Sequence, residues 1–331
     1  MQRSHFLKTL IACAALAASG LASAQATSTG SGQAWPTKPV RFVLGAPAGT
    51  APDTAARILG ERLGALWGQS VVIENKPGVG GTIAMEFVKG SPADGHTLMF
   101  AHAGAVLVTP KFLKAAKYDP VAEFTTIGYV ADSPMIIVVG NGVQDKTLAS
   151  MLKTAKDEPG KLALGSTEQS TLPYLVGHSI SQATGAKFLH VPFNQPGQAA
   201  QALANGDVQY SIDGIAPLMP LVKGGRISSV ASTADRVLPG LEGIPLVKDT
   251  LPGFVAMGWF ALLGPKGLPA DLVTKINKDM NAVLANDEVV KKLRDVSLFP
   301  NPRTAPETLE FMKVEIDKWA AVIKKAGIEP L

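Results

Sequence analysis

The sequence has 331 residues, of which 46% are hydrophobic and 18% are charged, so the chain can bury a large core and is not disordered as a whole. Its 33 glycines and 24 prolines follow no fixed period, which excludes a fibrous protein. The aromatic content of 6% and a net charge of +4 without a basic block give no sign of a nucleic-acid partner.

The first 24 residues have the pattern of a secretory signal peptide. Arg3 and Lys8 are basic, residues 9–22 form an apolar run, and Ala22-Ser23-Ala24 is a small-x-small cleavage site. The run is shorter than the ~20 apolar residues of a spanning helix, so a membrane anchor is the less favoured alternative. We predict cleavage after Ala24, or after Ala26, and a periplasmic location.

The only cysteine of the chain, Cys13, lies inside this segment. The residues Leu10-Ile11-Ala12-Cys13 look like a lipoprotein cleavage box, so lipidation stays open as an alternative. Cleavage there would leave almost no apolar region after Lys8, which favours the ordinary signal peptide. The mature chain would then lack cysteine, which excludes disulfides, Cys-ligated metals and Cys nucleophiles.

After a flexible lead-in at residues 25–35, apolar runs of β-type composition alternate with segments of helical periodicity. Strands are predicted at residues 40–44, 70–74, 97–101, 135–139, 162–165, 188–193, 208–212, 227–231 and 254–264. Helices are predicted at residues 53–67, 82–89, 147–156, 173–184, 198–204, 271–285, 288–295 and 307–325. This alternation predicts an α/β protein with a parallel, doubly wound sheet.

The alternation occurs twice in series, which predicts two doubly wound α/β lobes joined by crossover strands. We expect crossings near residues 135–139 and 258–264. Lobe 1 would then comprise residues 36–135 plus 261–331, and lobe 2 residues 136–260. Two such lobes form a hinge and a cleft that closes around a small ligand.

The loop after the first predicted strand is the first candidate binding segment, because ligands lie at such strand ends in open α/β sheets. Its backbone N–H groups and the following helix dipole favour an anion. The Thr50 hydroxyl would add a donor, and Asp53 occupies the expected N-cap position. The alternative is an ordinary capped turn. The predicted ligand-binding residues of this segment are Ala46, Ala48, Gly49, Thr50 and Asp53.

Other strand ends supply the remaining candidates. His102 could face the cleft or could be a structural histidine bonded to backbone. The polar loop at 166–170 could hold carboxylate oxygens, or could bond only to itself. Asp213 could accept a hydrogen bond from a ligand, or could cap the following helix. The predicted ligand-binding residues of these strand ends are His102, Ala103, Ser166, Thr167, Gln169, Ser170, Phe193 and Asp213.

Signatures of catalysis, cofactors and metals are missing from the sequence. Residues 77–81 lack the G-x-G-x-x-G spacing, no Gly-Lys-Ser/Thr follows a glycine loop, and no Gly-x-Ser-x-Gly occurs. Residues 77–81 instead favour a turn with positive φ angles. None of the four downstream histidines lies at i, i+4 from another. We therefore predict no enzymatic activity, no cofactor and no metal.

An ordered series of motifs resembles the receptors of the tripartite tricarboxylate transporters, the Bug family. The series covers nearly the whole chain after the lead-in. It consists of Trp35-Pro36-Thr37-Lys38-Pro39-Val40-Arg41, Val71-Val72-Ile73-Glu74-Asn75-Lys76-Pro77-Gly78-Val79-Gly80-Gly81, Ser91-Pro92-Ala93-Asp94-Gly95-His96-Thr97-Leu98, His190-Val191-Pro192-Phe193, Asn205-Gly206-Asp207-Val208-Gln209 and Gly258-Trp259-Phe260-Ala261-Leu262-Leu263-Gly264-Pro265.

The resemblance implies a periplasmic solute-binding protein of the type II, Venus-flytrap class. Such a receptor passes a small organic acid to the integral-membrane permease of its transporter. The resemblance implies that one carboxylate is held between Ala46–Thr50 and Ser166–Ser170, largely through backbone groups and water. It also implies that Asp213 contributes to ligand choice. We expect a monomer; a ligand-sensing partner of a membrane sensor kinase is the alternative function.

The chain departs from the family pattern in both loops. The first loop reads Ala-Pro-Ala-Gly-Thr-Ala-Pro-Asp, with fewer glycines than the family's usual run. The second loop has Glu168 and Gln169 where Gly and Asn are common. Because an inward-facing acid would repel a carboxylate, we expect Glu168 to face solvent, or else the ligand to differ from the family norm.

Overall fold

The computed structural model describes residues 35–167, 171–193 and 196–327. The signal-peptide prediction and most of the predicted lead-in lie outside these residues. The chain divides into an amino-terminal unit, Met1–Thr37, and a compact unit, Lys38–Leu331. The elements below all belong to the second unit.

The strands of the described residues form one sheet. In chain order they are β1 Val40–Leu44, β2 Val71–Asn75, β3 Thr97–His102, β4 Phe124–Gly140, β5 Ala163–Thr167, β6 Leu189–Phe193, β7 Tyr210–Gly214, β8 Ile227–Ser232, β9 Met257–Pro265 and β10 Phe299–Arg303.

The helices pack against this sheet. In chain order they are α1 Ala51–Trp67, α2 Thr82–Lys89, α3 Ala103–Leu107, α4 Thr109–Phe112, α5 Leu148–Asp157, α6 Leu172–Thr184, α7 Pro196–Asn205, α8 Ile215–Lys223, α9 Val247–Thr250, α10 Ala270–Leu284, α11 Asp287–Asp295 and α12 Ala305–Ala326. A 3₁₀ turn, Val79–Gly81, precedes α2. No helix within the described ranges combines the length and the apolarity needed to cross a membrane.

The sheet is mixed, whereas the sequence predicts a parallel one. Its strand order is β2-β1-β3-β9-β4-β7-β5-β6, and β8 and β10 also pair with β4. The pairs β1/β2, β1/β3, β5/β6 and β5/β7 are parallel. Every pair that includes β4 or β9 is antiparallel. The prediction was wrong for these strands because local periodicity does not encode strand direction.

β4 links the two halves of the sheet. It has 17 residues, of which 135–139 were predicted as a separate strand. Its first part, Phe124 to Pro134, pairs with β9, and its second part, from Met135 onwards, pairs with β7. We refer to β1–β3, β9, β10 and the first part of β4 as the first half, and to β5–β8 and the second part of β4 as the second half. The boundaries of the two lobes stay a prediction.

Two of the elements that the sequence analysis missed contain prolines. β10 contains Pro300 and Pro302, yet it pairs antiparallel with the first part of β4. Proline is tolerated at such an edge, where its missing N–H is not needed. α8 contains Pro220 in its interior, a residue that usually ends a helical pattern.

The core fills both faces of the sheet. One cluster of buried side chains extends from the first half into the second and includes Val43, Met99, Tyr129, Ile137 and Ile212. A second cluster, with Ile136, Val138, Leu203 and Leu218, lies between the second half and α7 and α8. Alternate residues of β4 thus belong to different clusters, as expected for a strand buried on both faces.

Replacing Gly258 by Ala should destabilise the protein. A Cβ at Gly258 would lie 2.5 Å from the Ser133 carbonyl oxygen, so β4 and β9 would have to separate where the halves join. Overpacking of this kind costs about 1–3 kcal/mol, which lowers the melting temperature by several degrees. The control is Gly214→Ala, where nothing lies within 4 Å. Equal melting temperatures of the two variants would contradict the need for this close approach.

Candidate functional site

The strand registers place the carboxyl-terminal ends of strands from the first half opposite those of strands from the second half, along β4. β3 ends at His102, which pairs with Phe260 of β9, and Phe260 pairs with Ala131 of β4. β7 runs in the opposite direction, and its Asp213 pairs with Ile136 of β4. About five residues of β4, or roughly 17 Å, separate the two ends.

The neighbouring strands extend this arrangement to the loops. β1 is parallel to β3, and β5 is parallel to both β6 and β7. The loop after β1 therefore lies at the same edge as His102, and the loop after β5 lies at the same edge as Asp213. Such edges are where open α/β sheets bind ligands.

Asp53 organises the loop between β1 and α1. Its Oδ2 accepts hydrogen bonds from the Gly49 N–H at 2.9 Å and from Arg57 Nε at 3.0 Å. Its Oδ1 accepts from Arg57 Nη2 at 2.9 Å and from Asn75 Nδ2 at 3.0 Å. Burial alone raises the pKa of Asp53, but these donors together hold it below its usual value. Both oxygens are used within the protein, so the structure gives Asp53 a positioning role.

The N-cap prediction for Asp53 was wrong. α1 begins at Ala51, its N-cap is Thr50, and Asp53 is the third helical residue. Pro52 fits the first helical turn because the N–H that it lacks has no intrahelical partner there. The Thr50 hydroxyl donates to the Pro47 carbonyl at 2.7 Å, so its proton is engaged in this structure and not free for a ligand.

The loop leaves backbone groups for a ligand. Within the described residues, no hydrogen bond is recorded from the N–H groups of Ala46, Ala48 and Thr50. Gly49 has a φ of +80°, and nothing lies within 4 Å of where its Cβ would be. The amino terminus of α1 adds partial positive charge. This combination favours an anion.

A second glycine loop packs against the first. A Cβ at Gly45 would lie 2.6 Å from Gly81 Cα, so this approach requires glycine. The Gly80 carbonyl accepts a hydrogen bond from the buried Thr109 Oγ1 at 2.9 Å. The sequence predicted positive φ angles in this turn, and Gly78, Gly80 and Gly81 have them. Its contact with the first loop was missed because no local pattern encodes it.

His102 is the last residue of β3 and the N-cap of α3. Its Nδ1 accepts from the Ala105 N–H at 3.2 Å, so in the neutral ring Nε2 carries the proton. A Cβ at Gly81 would lie 3.1 Å from this Nε2, which places the ring beside the glycine loop. Burial lowers the pKa of His102 to about 4, so the ring is neutral near pH 7. Ala103 is buried in the core.

In the second half, Ser166 and Thr167 lie inside β5 rather than in the loop after it. Both side chains are buried. Ser166 Oγ donates to the Thr167 carbonyl at 3.1 Å, and Thr167 Oγ1 and Thr171 Oγ1 share a hydrogen bond of 2.9 Å. In the described part, these two hydroxyls therefore bond to neighbouring residues, and the ligand-binding role of this segment stays a prediction. Outside the described residues lie Glu168, Gln169 and Ser170.

Phe193 and Asp213 lie at the ends of β6 and β7. Phe193 pairs with Thr167. Asp213 is 7% exposed, and its Oδ1 accepts from the Gly214 N–H at 2.7 Å. Its Oδ2 is buried and has no hydrogen-bond partner among the described residues. The alternative N-cap role for Asp213 was wrong, because the N-cap of α8 is Gly214.

Asp213 is therefore a buried acid with an unsatisfied oxygen. Burial raises its pKa to about 7, although the Gly214 N–H lowers it. Ser211, two residues earlier on the same face of β7, also has a buried hydroxyl that no group in the described ranges pairs with. Buried polar atoms are nearly always hydrogen-bonded, so this pair marks a place where a ligand or water can bind.

The histidines form no metal cluster in the described ranges. There, no group of three or more His, Cys, Asp or Glu side chains could hold a metal ion. His178 and His190 stack, with ring centroids 4.0 Å apart and an interplanar angle of 9°. Burial, together with the charge on His178, lowers the pKa of His190 to about 4.

Replacing Asp213 by Asn should change how stability depends on pH. The folded-state pKa of about 7 exceeds the usual value of 3.8. The stability contributed by the protonated carboxyl is thus fully present below about pH 4 and is lost as the pH rises through 7. This loss is up to ~1.4 kcal/mol per pH unit, and the Asn variant should lack it.

Urea denaturation at a series of pH values from 4 to 8 measures this difference. The control is Asp157→Asn, since Asp157 has an exposed side chain, and its profile should match that of the wild type. A parallel decline in the wild type and in Asp213→Asn would contradict the assignment of a buried acid.

Comparison with known proteins identifies the family. A family model described as the tripartite tricarboxylate transporter family receptor matches residues 55–328. This match spans most of the chain, so the chain belongs to that receptor family. The family resemblance seen in the sequence is confirmed.

Solved structures agree with this assignment. Rpa4515 of R. palustris, solved with adipate, is 30% identical, has a TM-score of 0.81, and aligns over 90% of this chain and 100% of its own. The periplasmic binding protein BugD is 28% identical, with a TM-score of 0.76 over 90% and 100% of the two chains. MatC of Rhodopseudomonas palustris, with bound malate, is 26% identical, with a TM-score of 0.75 over 87% and 100%. The predicted fold class, that of the periplasmic binding proteins, is confirmed.

Proposed function

We propose that this receptor captures a small molecule with a carboxylate group between the two halves of its sheet and delivers it to the permease of a tripartite tricarboxylate-type transporter. The observation that carries the proposal is the opposition of the two sets of strand ends along β4, from Ala131 to Ile136. The ligands of similar structures, adipate and malate, support the class of solute.

The first half would hold one carboxylate. The available N–H groups of Ala46, Ala48 and Thr50 lie at the amino terminus of α1, where an anion is favoured. Asp53 holds the loop in its conformation, since its carboxylate accepts hydrogen bonds from the Gly49 N–H and from the Arg57 side chain. Backbone donors that are held in this way lose little conformational entropy when the ligand binds.

In the second half, Asp213 would determine ligand specificity. In its neutral form the unpaired Oδ2 can donate a hydrogen bond to a second carboxylate or a carbonyl. In its ionised form the same oxygen accepts from an ammonium or a hydroxyl group. With a pKa raised to about 7 by burial, both forms are accessible near neutral pH.

Binding would be coupled to closure of the two halves. A ligand that contacts both sets of strand ends is bound more tightly when they approach, and this difference in affinity shifts the population. We further propose that the protein works in the periplasm after removal of its signal peptide, as a monomer, and that it binds its ligand without transforming it.

A thermal-shift screen with adipate, malate and other organic acids tests the proposal. At a ligand concentration 100 times Kd, binding stabilises the folded state by about 2.7 kcal/mol, so at least one acid should raise the melting temperature. Absence of any shift across the series would contradict carboxylate capture.

An Ala48→Trp variant locates the site. Ala48 is exposed in the first loop, so the indole should obstruct the loop without disturbing the core, and the ligand-induced shift should be lost. The matched control is Ala270→Trp, which places the same side chain at an exposed first residue of α10. A full shift in Ala48→Trp would show that the ligand binds elsewhere.

A further inference from the structure

A buried carboxylate, Asp132, lies where the two halves of the sheet join. The pairing partner of β4 changes from β9 to β7 between Pro134 and Met135. Asp132 lies just before this change and pairs with Trp259 of β9 and with Phe299 of β10. Its backbone therefore belongs to the first half, and its side chain is 3% exposed.

Donors from three places satisfy this carboxylate. The Tyr129 hydroxyl, on β4, donates to Oδ1 at 2.7 Å. Asn301 Nδ2, on β10, donates to Oδ1 and Oδ2 at 3.3 and 3.2 Å. Arg236 Nη2, in the segment that follows β8, donates to Oδ2 at 2.9 Å. Tyr129 and Asn301 thus belong to the first half, whereas Arg236 follows a strand of the second half.

The segment that carries Arg236 is anchored in the second half. The Thr233 N–H donates to the Met135 carbonyl at 3.0 Å, and the Thr233 carbonyl accepts from the Ala256 N–H at 3.1 Å. Thr233 is fully buried, so it fixes the segment to both stretches of chain that pass between the halves. Three residues later, Arg236 reaches past the junction to Asp132.

We propose that Arg236 is a positioning residue whose bond to Asp132 holds the two halves of the sheet in the orientation seen here. The bond from Thr233 to Met135 stays intact when the halves rotate about the junction, because Met135 begins the second part of β4, and Ala256 lies at the junction itself, directly before β9. The bond from Arg236 to Asp132 joins residues on opposite sides of the junction, so rotation must change it. The inference rests on the proposed function, in which the orientation of the two halves controls the access of the ligand to the site between them.

The surroundings of Arg236 allow this bond to open. The Arg236 side chain is 47% exposed and also pairs with the exposed Asp235 at 2.7 Å. When it leaves Asp132, the guanidinium keeps a carboxylate partner and gains water. Asp132 keeps the hydrogen bonds from Tyr129 and Asn301, so it is not left as an unsatisfied buried charge.

The distance between two spin labels, measured by pulsed electron spin resonance without ligand, tests the inference. The labels replace Glu61 on α1 and Lys156 on α5, which are exposed residues of the two halves, in a Cys13→Ser background. In Arg236→Gln the distance distribution should broaden and gain a population absent from the wild type. In the control Asp235→Asn, which leaves the bond to Asp132, the distribution should match the wild type.

An Arg236→Gln distribution identical to that of the wild type, in a protein with wild-type circular dichroism, would overturn the inference. If Arg236→Gln does not fold, Arg236→Met replaces it. That variant keeps an apolar stem but cannot bind Asp132, and an unchanged distribution would again overturn the inference.

The same samples separate this inference from the proposed function. Titration with adipate and malate should show a changed apparent affinity in Arg236→Gln, by the factor by which the binding-competent population changes. If the wild type binds no organic acid while the distances still respond to Arg236, the proposed function fails and the role of Arg236 stands.

Discussion

The backbone pairing of the 17-residue strand β4 with both halves of the sheet is the constraint on which the rest of the structure depends. Its first part pairs with β9 and β10 and its second part with β7 and β8, so a single strand fixes the register of both halves. Because neighbouring strands are bound to β4 at defined residues, the ends of β3 and β7 lie at Ala131 and Ile136. The spacing between the candidate binding loops therefore follows from backbone pairing before any side chain contributes.

The side chains near those ends act mostly on the protein itself. Asp53 binds the loop that contains Gly49, Ser166 bonds to its neighbour's carbonyl, and His102 caps α3. Among the described residues, the groups left for a ligand include backbone N–H in the first half, and the Ser211 hydroxyl and the unpaired Oδ2 of Asp213 in the second. In the proposed function, such a site recognises a carboxylate by geometry, and Asp213 in the second half adds sensitivity to the rest of the ligand and to pH.

Glycines make this geometry possible in two places. Gly45 allows the loop after β1 to lie against the loop at Gly81, and Gly258 allows β9 to lie against Ser133 of β4. In both places a Cβ would meet backbone within 2.6 Å, which no rotamer change can relieve. The contact at Gly45 shapes the candidate site. The contact at Gly258 keeps β4 and β9 close together at the junction of the two halves, next to the bond between Asp132 and Arg236.

The sequence alone determined most of the local elements and the family. The period of the apolar residues predicted α1 and α2 within a few residues of their observed bounds, and the ordered motifs pointed to the receptor family because they extend along the chain. Only the tertiary structure decided what depends on distant residues: the antiparallel pairing of β4 and β9, the close approach of Gly45 to Gly81, and the bond between Asp132 and Arg236. Short-range periodicity reports burial and backbone preference, whereas strand direction and side-chain partners are set by segments that meet only when the chain folds.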